Sequence, residues 1–310
     1  MTRWLVTGAA GMLGRDLTAL LAARRENIAA PTRADLDITD QASVAAAVSA
    51  ARPDVVINCA AWTAVDAAEE HEEEALAING HGAAHLAAAC AAAGARLIHV
   101  STDYVFDGHA SAPYAEQAPT TPAGAYGRTK LAGEQAVRSA LPDGSYVVRT
   151  AWLYGVHGKN FVKTMLRLAA NGTSPGVVAD QHGQPTWTAD VAAQLVALID
   201  QSAKPGIYHA TSSGQTTWHG FAEEIFKLYD KSQGTDTERP VVSPKPITTA
   251  EYPTPAKRPA YSVLGHDAWH AAGIAPIGDW KDALHRAFPA FGALPANTGP
   301  ANTGPAAAGA

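Results

Sequence analysis

The chain has 310 residues, 47% hydrophobic and 17% charged, with a formal net charge of −6. That is an ordinary globular composition, and its negative balance argues against non-specific binding to nucleic acid or to an anionic membrane surface. No apolar run approaches the ~20 residues of a transmembrane helix, and the first residues read as a strand entering a glycine turn rather than as a signal peptide. Cys59 and Cys90 lie in apolar strings and are expected to be buried, reduced thiols. A cytoplasmic protein with no nucleic-acid or membrane partner is expected.

Trp4-Leu5-Val6 predicts a first strand, and Leu13, Leu17, Leu20 and Leu21 recur at helical spacing in a helix over 14–25. A weak strand at 27–30 and a helix over 41–51, capped by Asp40, follow. Residues 54–58 read as a buried strand, 75–94 as a long helix interrupted by glycines, and 96–101 as another buried strand. A helix over 125–140 stops before Pro142, and Tyr146-Val147-Val148-Arg149 is a further strand. Such alternation predicts a parallel sheet covered on both faces. Beyond about residue 155 the pattern loosens. Helices are expected over 161–170, 189–200 and 218–229, a strand rejoins the sheet at 206–209, and residues 234–259 are proline-rich and irregular. The repeated Ala-Asn-Thr-Gly-Pro leaves 295–310 nothing to bury, so a disordered low-complexity tail is expected there.

Gly8, Gly11 and Gly14 occupy the first strand-to-helix turn. Glycines there let the backbone approach a diphosphate closely, and the helix N-terminus offers it free N–H groups. The spacing is G-x-x-G-x-x-G, weak as a string but strong in this position. The fold expected is α/β, a Rossmann-like doubly wound parallel sheet with a smaller C-terminal substrate-binding lobe. The dinucleotide-binding domain would span 1–155, with the chain returning to it around 187–212, and the lobe would take most of 156–294. Asp37, 23 residues beyond Gly14, suits an adenosine ribose. Arg33 suits a 2′-phosphate and Asp35 competes with Asp37, so both NADH and NADPH remain open.

Tyr126 and Lys130 are four residues apart, hence one turn apart on one helix face. A cation near a phenol favours the phenolate and is expected to lower its pKa from about 10. Thr102 follows the strand ending at Val100, and catalytic groups in open α/β sheets gather at the carboxyl ends of strands. Thr102 can donate a hydrogen bond to a carbonyl that Tyr126 protonates, while Lys130 holds the nicotinamide ribose. Together with the glycine turn, this set describes a metal-free carbonyl reductase or alcohol dehydrogenase. The 12 histidines form no zinc-binding spacing.

With these motifs the chain resembles the extended short-chain dehydrogenase/reductases, and within them the dTDP-4-dehydrorhamnose reductases. The resemblance runs from about Trp4 to Phe288. Besides the glycine turn and Tyr126 to Lys130, it rests on Thr63-Ala64-Val65-Asp66, Ser101 to Gly108, Arg149 to Gly155, Asp180-Gln181-His182-Gly183-Gln184-Pro185-Thr186 and Arg258-Pro259. It implies NAD(P)H-dependent reduction of the 4-keto group of dTDP-4-dehydro-β-L-rhamnose. By position, Gly11, Met12 and Leu13 would approach the pyrophosphate and Asp37 and Ile38 the adenine. Ala61, Trp62, Thr63 and Val100 would line the cofactor, although Trp62 departs from the histidine or tyrosine usual there. Thr102, Asp103 and Trp152 would surround the sugar with Tyr126, and Asn160 and Arg258 would meet the diphosphate or thymidine. Some members dimerise through a magnesium site built from glutamates. Ala189-Asp190-Val191 stands where those would be, so no bridging Mg2+ is expected, and a monomer or homodimer remains open. The rival readings are a reductase of another dTDP-4-keto sugar, a sugar-nucleotide epimerase or dehydratase, and a non-catalytic regulatory subunit on the same fold.

Overall fold

A computed structural model describes residues 1–234 and 242–292; the tail expected at 295–310 lies outside the described residues. Strands β1 (Arg3–Thr7), β2 (Asn27–Ala29), β3 (Val55–Asn58) and β4 (Arg96–Thr102) alternate with α1 (Met12–Ala23), α2 (Gln41–Ala51), α3 (Glu72–Leu76) and α4 (Ala83–Ala93). Next come α5 (Ala125–Ala140), β5 (Ser145–Thr150), β6 (Leu153–Tyr154), α6 (Phe161–Ala170), β7 (Gly176–Val178), β8 (His182–Gly183), β9 (Thr186–Trp187) and α7 (Thr188–Asp200). The chain continues through β10 (Gly206–His209), β11 (Thr216–Thr217), α8 (Trp218–Gln233), β12 (Lys245–Ile247), α9 (Asp267–Ala271) and α10 (Trp280–Ala287).

Six parallel strands form one sheet in the order β10-β5-β4-β3-β1-β2. The connections reverse direction between β1 and β3, and in such sheets ligands bind outside the carboxyl ends at that point. Val55–Asn58 and Ser145–Thr150 are buried along their whole length, because helices cover both faces. One apolar core joins Leu13 and Leu17 of α1 to Leu195 of α7 and the sheet. Another joins Val44 of α2, Leu86 of α4 and Val137 of α5 to the opposite face. A third, around Phe161, Met165, Phe221 and Leu284, packs α6, α8 and α10 together.

Local chemistry explains most boundaries. The Asp40 carboxylate accepts from the Ala42 N–H at 2.8 Å and caps α2. Helix α1 starts at Met12, two residues before the predicted start, because Gly11 already turns the chain. The long helix predicted over 75–94 is not continuous. A π-helical turn, Ala77–Gly82, separates α3 from α4. Its Asn79 side chain accepts from the Trp62 N–H (2.9 Å) and donates to the Trp62 carbonyl (3.2 Å) and the Thr129 hydroxyl (3.1 Å). Widened turns of this kind cluster at functional sites.

Helix α5 lies against that turn so closely that a Cβ on Gly133 would overlap the Asn79 carbonyl oxygen. Gly133→Ala is therefore expected to destabilise the fold by ~1–3 kcal/mol despite the better helix propensity of alanine. Denaturant unfolding measures this, and an unchanged or raised midpoint would contradict the close packing.

Candidate active site

A cavity of about 950 Å³ opens over the carboxyl ends of β1, β3 and β4. At one side is the glycine turn. Gly8 has φ +65°, and a Cβ there would sit 2.6 Å from the Ala60 nitrogen. Gly11 N–H closes the turn on the Gly8 carbonyl at 2.9 Å. A Cβ on Gly14 would overlap that same carbonyl oxygen and the Ala9 backbone. Gly8, Gly11, Met12, Leu13 and Gly14 all line the cavity, and the first N–H groups of α1 have no acceptor within their own helix. Exposed backbone and a helix N-terminus form a cradle that fits the diphosphate of a dinucleotide.

Arg33, Asp37 and Ile38 extend the lining, as do Ala61, Thr63 and Val100. The Asp37 Oδ1 accepts from the Thr39 N–H (2.9 Å) and hydroxyl (2.8 Å), and these bonds hold its carboxyl below the usual range. Trp62 is not on the cavity wall. Asn79 binds its backbone, and its indole Nε1 donates to the Ala64 carbonyl at 3.0 Å, with the ring beside His71.

The reacting end is built where β4 meets α5. Thr102 ends β4, donates to the Asp103 Oδ1 (3.0 Å) and accepts from the Tyr104 N–H (3.2 Å), with the Tyr126 phenol nearby. Tyr104 packs edge-on to Tyr126 with centroids 5.5 Å apart. Burial pushes the Tyr126 phenol up to about 12, with the Asp103 charge also raising it and the Thr102 hydroxyl opposing. The expected lowering by Lys130 is absent because the lysine faces elsewhere. Its Nζ donates to the Val100 carbonyl at 2.6 Å. Lys130 is 2% exposed, and burial lowers it to about 8 against the raising influence of Glu134 and Cys59. Burial raises the Asp103 carboxyl to about 6, and its Oδ2 has no hydrogen-bond partner.

Trp152 lines the cavity from a left-handed backbone, φ +48°, and stacks on Trp218 of α8 with centroids 3.6 Å apart and planes 10° from parallel. Gly183 makes room, since a Cβ there would overlap the Trp152 ring. Asn160 also lines the cavity, but both ends of its amide are engaged. It donates to the Gly155 carbonyl (2.7 Å) and accepts from the Lys163 N–H (3.1 Å), capping α6. Arg258 is not on the wall: it bonds the Asp66 Oδ2 at 2.8 Å, while the Asp66 Oδ1 accepts from the Ala256 N–H. The Asp66 pair ties the segment after β3 to residues 256–258, and the Arg258 Nε and Nη1 are left without a hydrogen-bond partner among the described residues. Sequence reasoning missed Tyr104, Thr164, Arg167 and Trp218, which also line the cavity. The spacing of Asn160, Thr164 and Arg167 on one helical face was the available signal. Among the described residues no group of three or more His, Cys, Asp or Glu side chains is placed to hold a metal ion.

The family described as RmlD substrate binding domain matches residues 2–292. A dTDP-4-keto-6-deoxy-D-glucose reductase of Streptomyces niveus is 54% identical over 93% of this chain and 96% of its own length. A dTDP-4-dehydrorhamnose reductase of Streptomyces griseus is 53% identical over 93% of each chain. A solved dTDP-4-dehydrorhamnose reductase of Bacillus anthracis in complex with NADP is 37% identical, with a TM-score of 0.87 over 93% of this chain and 99% of that one.

Closing the cradle should abolish its use. Gly14→Ala is expected to weaken NADPH binding at least about tenfold, or about 1.4 kcal/mol. Fluorescence titration with NADPH reads this directly, and an unchanged Kd would remove the glycine turn from the cofactor site.

Proposed function

We propose a function for a chain that belongs to the RmlD substrate binding domain family: it reduces the 4-keto group of dTDP-4-dehydro-β-L-rhamnose with NADPH, giving dTDP-β-L-rhamnose. One observation carries this reading. Thr102, Tyr126 and Lys130 line the same cavity as the glycine cradle, so a hydrogen-bond donor, a proton donor and a buried cation share one space with a dinucleotide site. The Streptomyces relatives support the substrate class, since both are named for dTDP-4-keto sugars. The 54% identity to a dTDP-4-keto-6-deoxy-D-glucose reductase favours one second reading, the same chemistry on that sugar.

The nicotinamide, when bound, supplies the hydride that reaches C4. The chain's own groups manage the oxygen. Tyr126 remains protonated throughout the neutral range, and it gives its proton to the oxygen as negative charge develops there. The Thr102 hydroxyl has a single proton, donated in the structure to the Asp103 Oδ1; turned to the substrate oxygen, it stabilises the same charge. Lys130, charged below about pH 8, supplies a fixed positive potential within a water-poor wall. Trp152, held between Trp218 and Gly183, adds an apolar aromatic group to the wall that a deoxysugar would meet.

Tyr126→Phe is expected to lower kcat by ~10²–10⁴-fold while NADPH affinity stays unchanged. Near-normal turnover of the keto sugar by that variant would sink the assignment. The pH dependence follows from Lys130, which is charged below about pH 8 and neutral above it, whereas Tyr126 keeps its proton to about 12. kcat/KM for the cofactor, which reports the free enzyme, should therefore fall as pH rises through about 8. A profile flat to pH 10 would show that the lysine charge is not required.

A further inference from the structure

We propose that Arg167 binds the diphosphate of the nucleotide-linked substrate, as a second anion site beside that of the cofactor; this rests on the functional reading above. Helix α6 runs along the cavity. Asn160, Thr164 and Arg167 follow one another at spacings of four and three, so they share one face, and all three line the cavity. Met165, Leu166 and Ala169, on the opposite face, are buried in the apolar core. At its start α6 touches the glycine cradle, with the Asn160 Nδ2 3.7 Å from the Met12 Sδ. Arg167 lies seven residues further on, about 10 Å along the helix axis.

Of the four other buried or partly buried arginines among the described residues, three have partners. Arg149 and Arg258 hold a carboxylate at 2.7 and 2.8 Å, and Arg138 donates to the Pro142 and Ser145 carbonyls. The partly buried Arg167 guanidinium makes no hydrogen bond or ion pair among the described residues, although it borders the cavity. A cation partly removed from water without a partner is costly, and a guanidinium fits a phosphate with two parallel N–H bonds. Lys159, exposed on the same rim, adds a second positive charge, and no carboxylate of α6 opposes them. Trp218, stacked on Trp152, lines the same cavity. A cation and an aromatic wall in one cavity suit a nucleoside diphosphate joined to a deoxysugar.

Calorimetric titration of the NADP+-loaded enzyme with dTDP tests this. Arg167→Ala should weaken dTDP binding by about 10- to 100-fold, the range for hydrogen bonds to a charged group. Arg167→Lys should recover part of the loss, and NADP+ affinity should stay within about twofold, which also reports an intact fold. KM for the keto sugar should rise by the same factor with a smaller change in kcat. Unchanged dTDP affinity in Arg167→Ala overturns the proposal, as does a loss that falls on NADP+ instead. A wild-type protein that binds dTDP without reducing its 4-keto sugar breaks the functional reading and leaves the Arg167 assignment standing. A wild-type protein that binds no dTDP overturns both.

Discussion

The buried ion pair between Glu134 of α5 and Arg149 of β5 holds the reacting groups in register. Both side chains are at most 4% exposed. Removing two ions from water costs several kcal/mol each unless their remaining donors and acceptors are satisfied. Here they are. Arg149 gives Nε and Nη2 to the two carboxylate oxygens at 2.9 and 2.7 Å, and Nη1 to the Glu116 carbonyl at 3.1 Å. The Ser101 hydroxyl donates to the Glu134 Oε1 at 2.5 Å. Ser101 and Arg149 are register partners across β4 and β5. Ser101 also immediately precedes Thr102, and Glu134 stands one helical turn beyond Lys130. A single polar cluster therefore fixes the strand end that carries the hydroxyl relative to the helix that carries the phenol and the ammonium.

The front of α5 is held just as firmly. Gly124 has no side chain to cap the helix, and the Glu69 carboxylate accepts from the Ala125 N–H instead, at 2.9 Å. Arg128 forks onto Glu72 at 2.8 and 2.7 Å, and Asn79 reaches the Thr129 hydroxyl. This packing removes water from Tyr126 and Lys130 together, and burial moves the two in opposite directions, the phenol up and the ammonium down. For a reduction, both displacements serve the same end. In the proposed reaction the phenol would keep its proton until charge develops on the substrate, and the ammonium would still carry its charge at neutral pH.

The parallel alternation was legible because strands buried on both faces read as continuous apolar runs, as in Val55-Val56-Ile57. The bounds of α2, α5 and α6 were legible because caps and stop signals are local. So were Thr102, Tyr126 and Lys130, each placed by its position at the end of a strand or on one face of a helix. The remaining features depend on contacts that no local period encodes. Trp152 meets Trp218 across 66 positions, and Arg258 meets Asp66 across 192. The direction of Trp62 is decided by Asn79, from inside a π-helical turn that the apolar pattern reads as ordinary helix. The pairs β6–β9 and β8–β11 are two residues long, too short to show an alternation at all.

These two kinds of contact divide the site. The groups proposed for the proton and charge chemistry stand on β4 and α5, inside the main sheet and its covering helix. The aromatic wall and the free guanidinium stand on α6 and α8, on the border of a separate apolar core. Trp152 joins the two halves: it leaves β5 in a left-handed conformation, which is strained for a side chain of its size, and rests on Trp218. Close relatives named for different dTDP-4-keto sugars are in keeping with the proposed division, the reaction on one core and the choice of sugar on another.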